Sequence, residues 1–141
     1  MIIMIILSML FLHIIADFLV QNEFMAKFKQ KSKWLDACID EFKQYGKTGE
    51  MYDKYKYDYI PVLFVHAFSW AFITYLPLLH YVFYSKILMP ETWCVFILIQ
   101  TFVHMYIDDQ KCNKLKINLV IDQLLHFLQI LSGGLLIWML T

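Results

Sequence analysis

The segment MIIMIILSMLFLHIIADFLV, residues 1–20, is apolar at all but three positions and decides the class of fold. A helix of about 20 apolar residues spans the roughly 30 Å hydrocarbon core of a bilayer. The segment lacks a basic amino-terminal region and a cleavage site of small residues, so we expect a retained span and not a signal peptide. It also contains His13 and Asp17, which are costly inside a bilayer and therefore need partners.

Three further apolar segments follow, so the sequence predicts an all-α integral membrane protein with a four-helix bundle. The predicted spans cover about residues 1–20, 59–84, 90–107 and 117–140. Hydrophobic residues make up 60% of the chain, above the share of a soluble domain, and all 141 residues are predicted to form one transmembrane domain. Residues 22–58 form a long polar first loop. Its start, NEFMAKFKQKSKW, alternates apolar residues with lysines and indicates an interfacial amphipathic helix.

The distribution of positive charge predicts the orientation of the spans. All twelve basic residues are lysines, and every one except Lys86 lies in the first or third connection. The positive-inside rule then places these connections in the cytoplasm and both termini outside, in a bacterial inner membrane.

The composition also limits the expected partners. Net charge is zero, which argues against nucleic acid as a partner. The three cysteines are scattered and are predicted to be reduced and without a role. We therefore expect membrane lipid and a lipid-like small molecule as partners. The lipid-facing surfaces leave homo-oligomerisation open.

Ionisable residues recur at one end of each predicted span. Three spans carry a histidine and an aspartate four residues apart, a spacing that places both side chains on one helix face. The second span contributes a single histidine. All of them lie towards the cytoplasmic side, within about 10 Å in depth at a rise of 1.5 Å per residue. The predicted metal ligands are His13, Asp17, His66, His104, Asp108, Asp122 and His126.

Imidazole and carboxylate groups together suit zinc, and also iron or manganese. Seven groups exceed the needs of one tetrahedral ion, so the sequence predicts one or two divalent ions, with zinc favoured. Some of the seven are then expected to orient a ligating histidine instead of binding the ion. A second interpretation stays open, in which hydrogen-bonded His/Asp pairs only fasten the helices together.

At these residues the chain resembles a family of small bacterial and phage four-span membrane proteins classified as a domain of unknown function. The family pattern reads H-x-x-A-D-F-x-x-Q, then M-A-x-x-K, a lone histidine, H-x-x-x-D and D-Q-x-x-H. The matching stretches here are HIIADFLVQ, FMAKFKQK, VHAFSW, HMYID and DQLLH. Residues 40–58 look like an insertion relative to that pattern. The resemblance implies that Gln21, Lys27 and Gln123 lie at the edge of the site. The H-x-x-x-D spans are also similar to a broader group described as membrane-bound metal-dependent hydrolases, which implies a reaction class.

These features lead us to expect a metal-dependent hydrolase that acts at the cytoplasmic leaflet on a lipid-like substrate or a phosphate or acyl ester. Zinc lowers the pKa of bound water to about 7, which supplies a nucleophile at neutral pH. The candidate general bases are Asp17, Asp108 and Asp122, and the candidate substrate-binding residues are Gln21, Lys27, Lys31 and Gln123.

Three other functions stay open at this point. The first is a non-catalytic module that moves or senses metal ions or protons. The second is oxidation of lipid chains by a pair of iron ions. The third is a structural membrane subunit in which the His/Asp pairs serve only as fasteners.

Overall fold

The computed structural model describes residues 1–46, 48–86 and 90–140, and within these ranges the chain is helical with no strand. The predicted all-α class is confirmed. Part of the predicted connection between the second and third spans, residues 87–89, lies outside the described residues. The helices are α1 (Ile2–Ile15), a π-helical turn (Ala16–Val20), α2 (Glu23–Phe28), α3 (Lys31–Gln44), α4 (Thr48–Tyr55), α5 (Tyr59–Thr74), α6 (Leu76–Ser85), α7 (Pro90–Cys112) and α8 (Leu119–Leu140).

Two of the described helices are long and apolar enough to cross a membrane. They are α1 with its π-helical continuation, Ile2–Val20, and the segment Leu119–Leu136 of α8. The helical stretch Tyr52–Thr74, which includes α5, qualifies with α6 as a third span if the two, bent by 51° relative to each other, are taken together as one broken span. Helix α7 has 23 residues and carries much of the buried polar content, which lowers its apolar character.

The predicted second span, residues 59–84, is divided in two at Tyr75. Pro77 lies in the first turn of α6, where its missing N–H is tolerated, whereas in the middle of a continuous helix it would clash with the carbonyl group of Ile73. The bend buries the Tyr75 side chain completely. Its hydroxyl donates to the carbonyl oxygen of Gln129 at 2.8 Å and lies 3.1 Å from Gln100 Oε1, which ties the bend to α7 and α8.

Two adjacent glycines let α8 approach its neighbours closely. A Cβ atom on Gly133 would lie 2.7 Å from Cε1 of the Tyr75 ring, and one on Gly134 would lie 2.9 Å from Cδ1 of Ile6. Both distances are too short for carbon atoms in contact. The two sites differ in what can move, because the Tyr75 ring is held by hydrogen bonds at its hydroxyl whereas Ile6 presents a flexible side-chain end.

Gly133→Ala is expected to lower the free energy of unfolding by about 1–3 kcal/mol, the usual cost of overpacking a close contact. The matched variant Gly134→Ala is expected to cost less, since Ile6 can change rotamer. Unfolding of both variants in detergent micelles measures the difference. An equal or smaller effect at Gly133 would contradict the contact with Tyr75.

Candidate metal centre

The predicted ligands come together where α1, α5, α7 and α8 meet. The π-helical turn keeps Asp17 near His13, with Asp17 Oδ2 3.7 Å from His13 Nδ1, and the Asp17 side chain is 12% exposed. The other helices contribute side chains that are at most 3% exposed: His66, His104, Asp108, Asp122 and His126. The depth predicted from helix geometry therefore corresponds to a common buried cluster.

Two groups of side chains in this cluster could hold a metal ion. One consists of Asp17, His66 and His104, and the other of His104, Asp108 and His126; within each group the ligand atoms lie within 4.8 Å of one another. His104 belongs to both groups and is fully buried. Its ring stacks on Trp70 with centroids 4.1 Å apart and on His126 with centroids 4.3 Å apart, which fixes its orientation.

Asp108 is the carboxylate that the histidines share. Its Oδ2 lies 3.1 Å from His66 Nε2 and 3.9 Å from His104 Nε2, and its Oδ1 lies 3.6 Å from His126 Nε2. The Nε2 atoms of His66 and His104 are 3.3 Å apart. Ligand atoms around a tetrahedral zinc ion lie roughly 3.3–3.6 Å apart, given zinc–ligand distances of about 2.0–2.2 Å. The observed separations are thus close to those of ligands that share an ion.

Several polar atoms of the cluster are buried without a hydrogen-bond partner among the described residues. They are His104 Nδ1, Asp122 Oδ1 and both ring nitrogens of His126. His126 Nε2 lies 3.5 Å from Asp122 Oδ1 and 3.6 Å from Asp108 Oδ1, longer than an ordinary N–H···O hydrogen bond. More than about 90% of buried polar groups have a partner. Unpaired imidazole nitrogens beside carboxylate oxygens fit a site that takes a cation.

His13 and Asp122 lie outside both groups, although the sequence predicted both as ligands. His13 Nδ1 accepts a hydrogen bond from Trp70 Nε1 at 2.8 Å, so its Nε2 carries the proton and donates to Gln123 Oε1 at 3.1 Å. Asp122 Oδ2 accepts from Lys111 Nζ at 2.5 Å and from Gln123 Nε2 at 3.1 Å. In this arrangement both residues support the cluster through hydrogen bonds.

Two lysines that the sequence did not predict as site residues reach the cluster. Lys29 is 8% exposed, and its Nζ donates to Asp108 Oδ2 at 2.6 Å and lies 3.1 Å from His66 Nε2. With the amide of Gln21 oriented so that its oxygen faces the lysine, Gln21 accepts from the same ammonium group at 3.0 Å. Lys111 pairs with Asp122.

The sequence contains features that could have identified both of these lysines as site residues. Lys29 is the final residue of the M-A-x-x-K element, MAKFK, and Lys111 follows Asp108 by three residues and His104 by seven, on the same face of α7. The predicted lysines lie elsewhere. Lys27 is exposed with its ammonium 5.2 Å from the centre of the Phe28 ring, and Lys31 is exposed at the start of α3.

Asn113, just after α7, holds the turn that carries Lys29. The backbone N–H of Lys31 donates to Asn113 Oδ1 at 2.7 Å, and Asn113 Nδ2 donates to the Lys29 carbonyl oxygen at 3.3 Å and to Asp109 Oδ1 at 3.0 Å. The bonds to Lys29 and Lys31 lie on both sides of Gln30 and dock the α2–α3 turn on the end of α7. Asp109 also pairs with Lys114 at 2.8 Å, and this hydrogen bond raises the pKa of the exposed Lys114.

The formal charges of the cluster do not balance. Asp17, Asp108 and Asp122 bring three carboxylates, whereas Lys29 and Lys111 bring two ammonium groups. With neutral histidines one negative charge remains in a largely buried site, where an uncompensated charge is costly. A bound cation would supply the missing positive charge, and so would a proton on His126, whose Nε2 lies between the carboxylates of Asp108 and Asp122.

A small cavity of about 90 Å³ opens beside the cluster. Gln21 and Gln123, two of the predicted substrate-binding residues, line it, whereas Lys27 and Lys31 do not. Its polar wall is formed by Asp17, Gln21, Lys29, Asp108, Lys111 and Gln123.

Comparisons of the chain with protein-family models, with curated proteins and with solved structures return no match. Fold and site together define an all-α protein with candidate membrane spans and buried His/Asp groups that could hold a metal ion.

Proposed function

We propose that this protein is a membrane-embedded, metal-dependent hydrolase that acts on a lipid-like substrate at the cytoplasmic leaflet. The observation that carries the proposal is the pair of buried metal-capable groups that share His104, placed beside a cavity with a lysine-containing wall. Intramembrane ionisable residues are expensive and are usually kept for function. The proposed arrangement has four spans, with α7 as the third and with the lysine-rich connections in the cytoplasm.

Side chains of the buried cluster would bind the metal ion. Ligands would come from His104, Asp108 and His126, the group whose members are all buried, and zinc is the ion that this mixture of imidazole and carboxylate suits best. When bound, such an ion supplies Lewis acidity that lowers the pKa of water to about 7 and polarises a phosphoryl or acyl oxygen.

Asp17 is the best placed of the three candidate general bases. It lines the cavity, and among the described residues no lysine lies within ion-pair distance of it. Asp108 and Asp122 are each held by a lysine at 2.6 Å and 2.5 Å, which lowers their availability as proton acceptors. We therefore assign proton transfer to Asp17, ion binding to Asp108 and positioning of Lys111 and Gln123 to Asp122.

The proposal predicts that protein purified in mild detergent contains zinc, iron or manganese, measured by elemental analysis. A chelator is expected to lower the melting temperature, because an ion that binds only the folded state stabilises it, and reloading should restore the temperature. The reloaded protein is then assayed for hydrolysis of short-chain lipid esters. Protein that holds none of these ions after careful reloading would rule the function out.

A second candidate function is structural, and one observation favours it. The ion pairs Lys29–Asp108 and Lys111–Asp122 join the α2–α3 turn to α7 and α7 to α8. Each pair neutralises an acid of the cluster without a metal ion. A membrane subunit that used the cluster only as a fastener would contain the same two pairs, and the variants argued in the Discussion separate it from the hydrolase.

A further inference from the structure

The cavity beside the cluster has a polar inner wall and an apolar rim. Phe18, in the π-helical turn, and Leu119, at the start of α8, complete its lining and are 62% and 55% exposed. Both lie within helices that qualify as membrane spans. A ligand in this cavity would have its polar end against the cluster and an exit between two apolar side chains, which is the geometry that an amphiphile needs.

The size of the cavity restricts the polar end of that ligand. Its volume of about 90 Å³ is far below the range of about 300–1,000 Å³ that is typical for drug-sized ligands. A sugar or a peptide headgroup would not fit without rearrangement. A single compact group with several oxygens, such as a phosphate, is of the appropriate size.

The two lysines on the cavity wall, Lys29 and Lys111, differ in how many of their N–H donors are free to bind a ligand. Lys29 directs its ammonium group at Asp108, His66 and Gln21, so its three N–H donors are in use and it contributes mainly charge. Lys111 donates to Asp122 alone among the described residues, and its side chain is 30% exposed. It therefore retains N–H donors for a ligand in the cavity.

The charge of the cluster indicates when an anion would bind. With neutral histidines and no ion, the cluster carries one formal negative charge and repels a phosphate, whereas a divalent cation changes that charge to one positive. The affinity for an uncharged acyl ester would not increase with this change in the sign of the charge. Phosphate binding should therefore depend on the metal and on Lys111.

From the cavity, its rim and the free donors of Lys111 we propose that the site binds the phosphate group of a lipid, with Lys111 donating to the phosphate oxygens. The acyl chains leave between Phe18 and Leu119. This inference rests on the proposed function and narrows its substrate from esters in general to lipid phosphates. Lys111 takes the substrate-binding role that the sequence predicted for Lys27 and Lys31.

The test measures binding to the zinc-loaded protein in detergent by calorimetry, with elemental analysis of zinc on each sample. The probe is a non-hydrolysable phosphonate analogue of dihexanoyl phosphatidate, compared with dihexanoylglycerol and with inorganic phosphate. We expect the phosphonate to bind more tightly than inorganic phosphate and dihexanoylglycerol to show no comparable affinity. Equal affinity for inorganic phosphate would mean that free phosphate is the ligand and would overturn the lipid assignment.

Lys111→Gln is expected to weaken phosphonate binding by about 10–100-fold, because the variant loses a hydrogen bond to a charged group and such a bond changes the affinity by about that factor. The matched control is Lys114→Gln, because Lys114 follows the same helix end, pairs with Asp109 and does not line the cavity. Equal weakening in both variants, or no weakening in either, would contradict the inference. If zinc binds and no phosphate probe does, the inference is wrong and the metal-dependent function is unaffected.

Leu119→Trp provides a second test that does not alter the charged residues. Leu119 is exposed, so the variant should fold, and the larger ring would narrow the exit for the acyl chains. Binding of the phosphonate lipid is expected to weaken while binding of inorganic phosphate is unchanged. An unchanged affinity for the lipid would exclude the exit between Phe18 and Leu119. Lipid binding that required Lys111 but not zinc would contradict the proposed dependence of phosphate binding on the metal.

Discussion

Asp108→Asn is expected to abolish metal binding and to lower the free energy of unfolding by about 3–5 kcal/mol. Asp108 is the carboxylate that faces His66, His104 and His126, so its loss removes an anionic ligand from the cluster. The same change leaves the ammonium group of Lys29, 8% exposed, without its charge partner, and breaking a buried pair from one side has a cost of that size. Elemental analysis and unfolding in detergent measure the two effects.

The double variant Lys29→Met with Asp108→Asn separates the metal site from the structural function. Removing both charges of a buried pair is often neutral for stability, so the double variant should recover most of the stability that Asp108→Asn loses. It should still bind no metal. A structural subunit would show the same recovery in stability but no metal in any variant, including the unmodified protein. A double variant that regained metal together with stability would contradict the assignment of Asp108 as a ligand.

The common depth of the polar residues could be predicted from the sequence because helix geometry is local. A spacing of four residues places His104 and Asp108 on one face of α7 whatever the rest of the chain does. Lys111 continues that face and could have been included by the same rule. The break at Tyr75 could also have been predicted, because a proline such as Pro77 is not tolerated in the middle of a straight helix.

The partners of His13 could not be predicted in this way. Its nitrogens bind Trp70 and Gln123, which are 57 and 110 residues away along the chain. Spacing shows that a histidine is on the cluster side of a helix, but the hydrogen bonds that make it a support or a ligand come from other helices.

Lys29 illustrates the same limit in the polar loop. Lysines alternate along KFKQK, and only tertiary contacts decide which of them enters the site. Helix α2 ends at Phe28, and Asn113 binds the backbone at the Lys29 carbonyl and the Lys31 N–H. These contacts fix the turn from which the Lys29 side chain reaches Asp108. Nothing local distinguishes Lys29 from Lys27 or Lys31 except its place in the M-A-x-x-K element.

His104→Phe is the variant expected to remove metal binding with the least damage to the fold. His104 belongs to both metal-capable groups, so its loss should lower the metal affinity by more than about 100-fold. Removing a residue that only hydrogen-bonds a metal ligand lowers the metal affinity by about 10–100-fold. A phenyl ring can keep the stacking on Trp70 and His126 and also removes Nδ1, a buried atom without a hydrogen bond. The stability of the metal-free protein should change by no more than about 1.5 kcal/mol.

His80→Phe is the matched control, because His80 is exposed in α6, near Tyr84, and belongs to neither group. It is expected to retain the metal content and the hydrolytic activity of the unmodified protein. If His104→Phe retained both as well, neither group of side chains would be the metal site, since each of them requires this imidazole. If it lost activity but kept the ion, the ligands would lie elsewhere in the cluster and His104 would act on the substrate. A loss of metal confined to His104→Phe would link the ion to the one side chain that the two groups share.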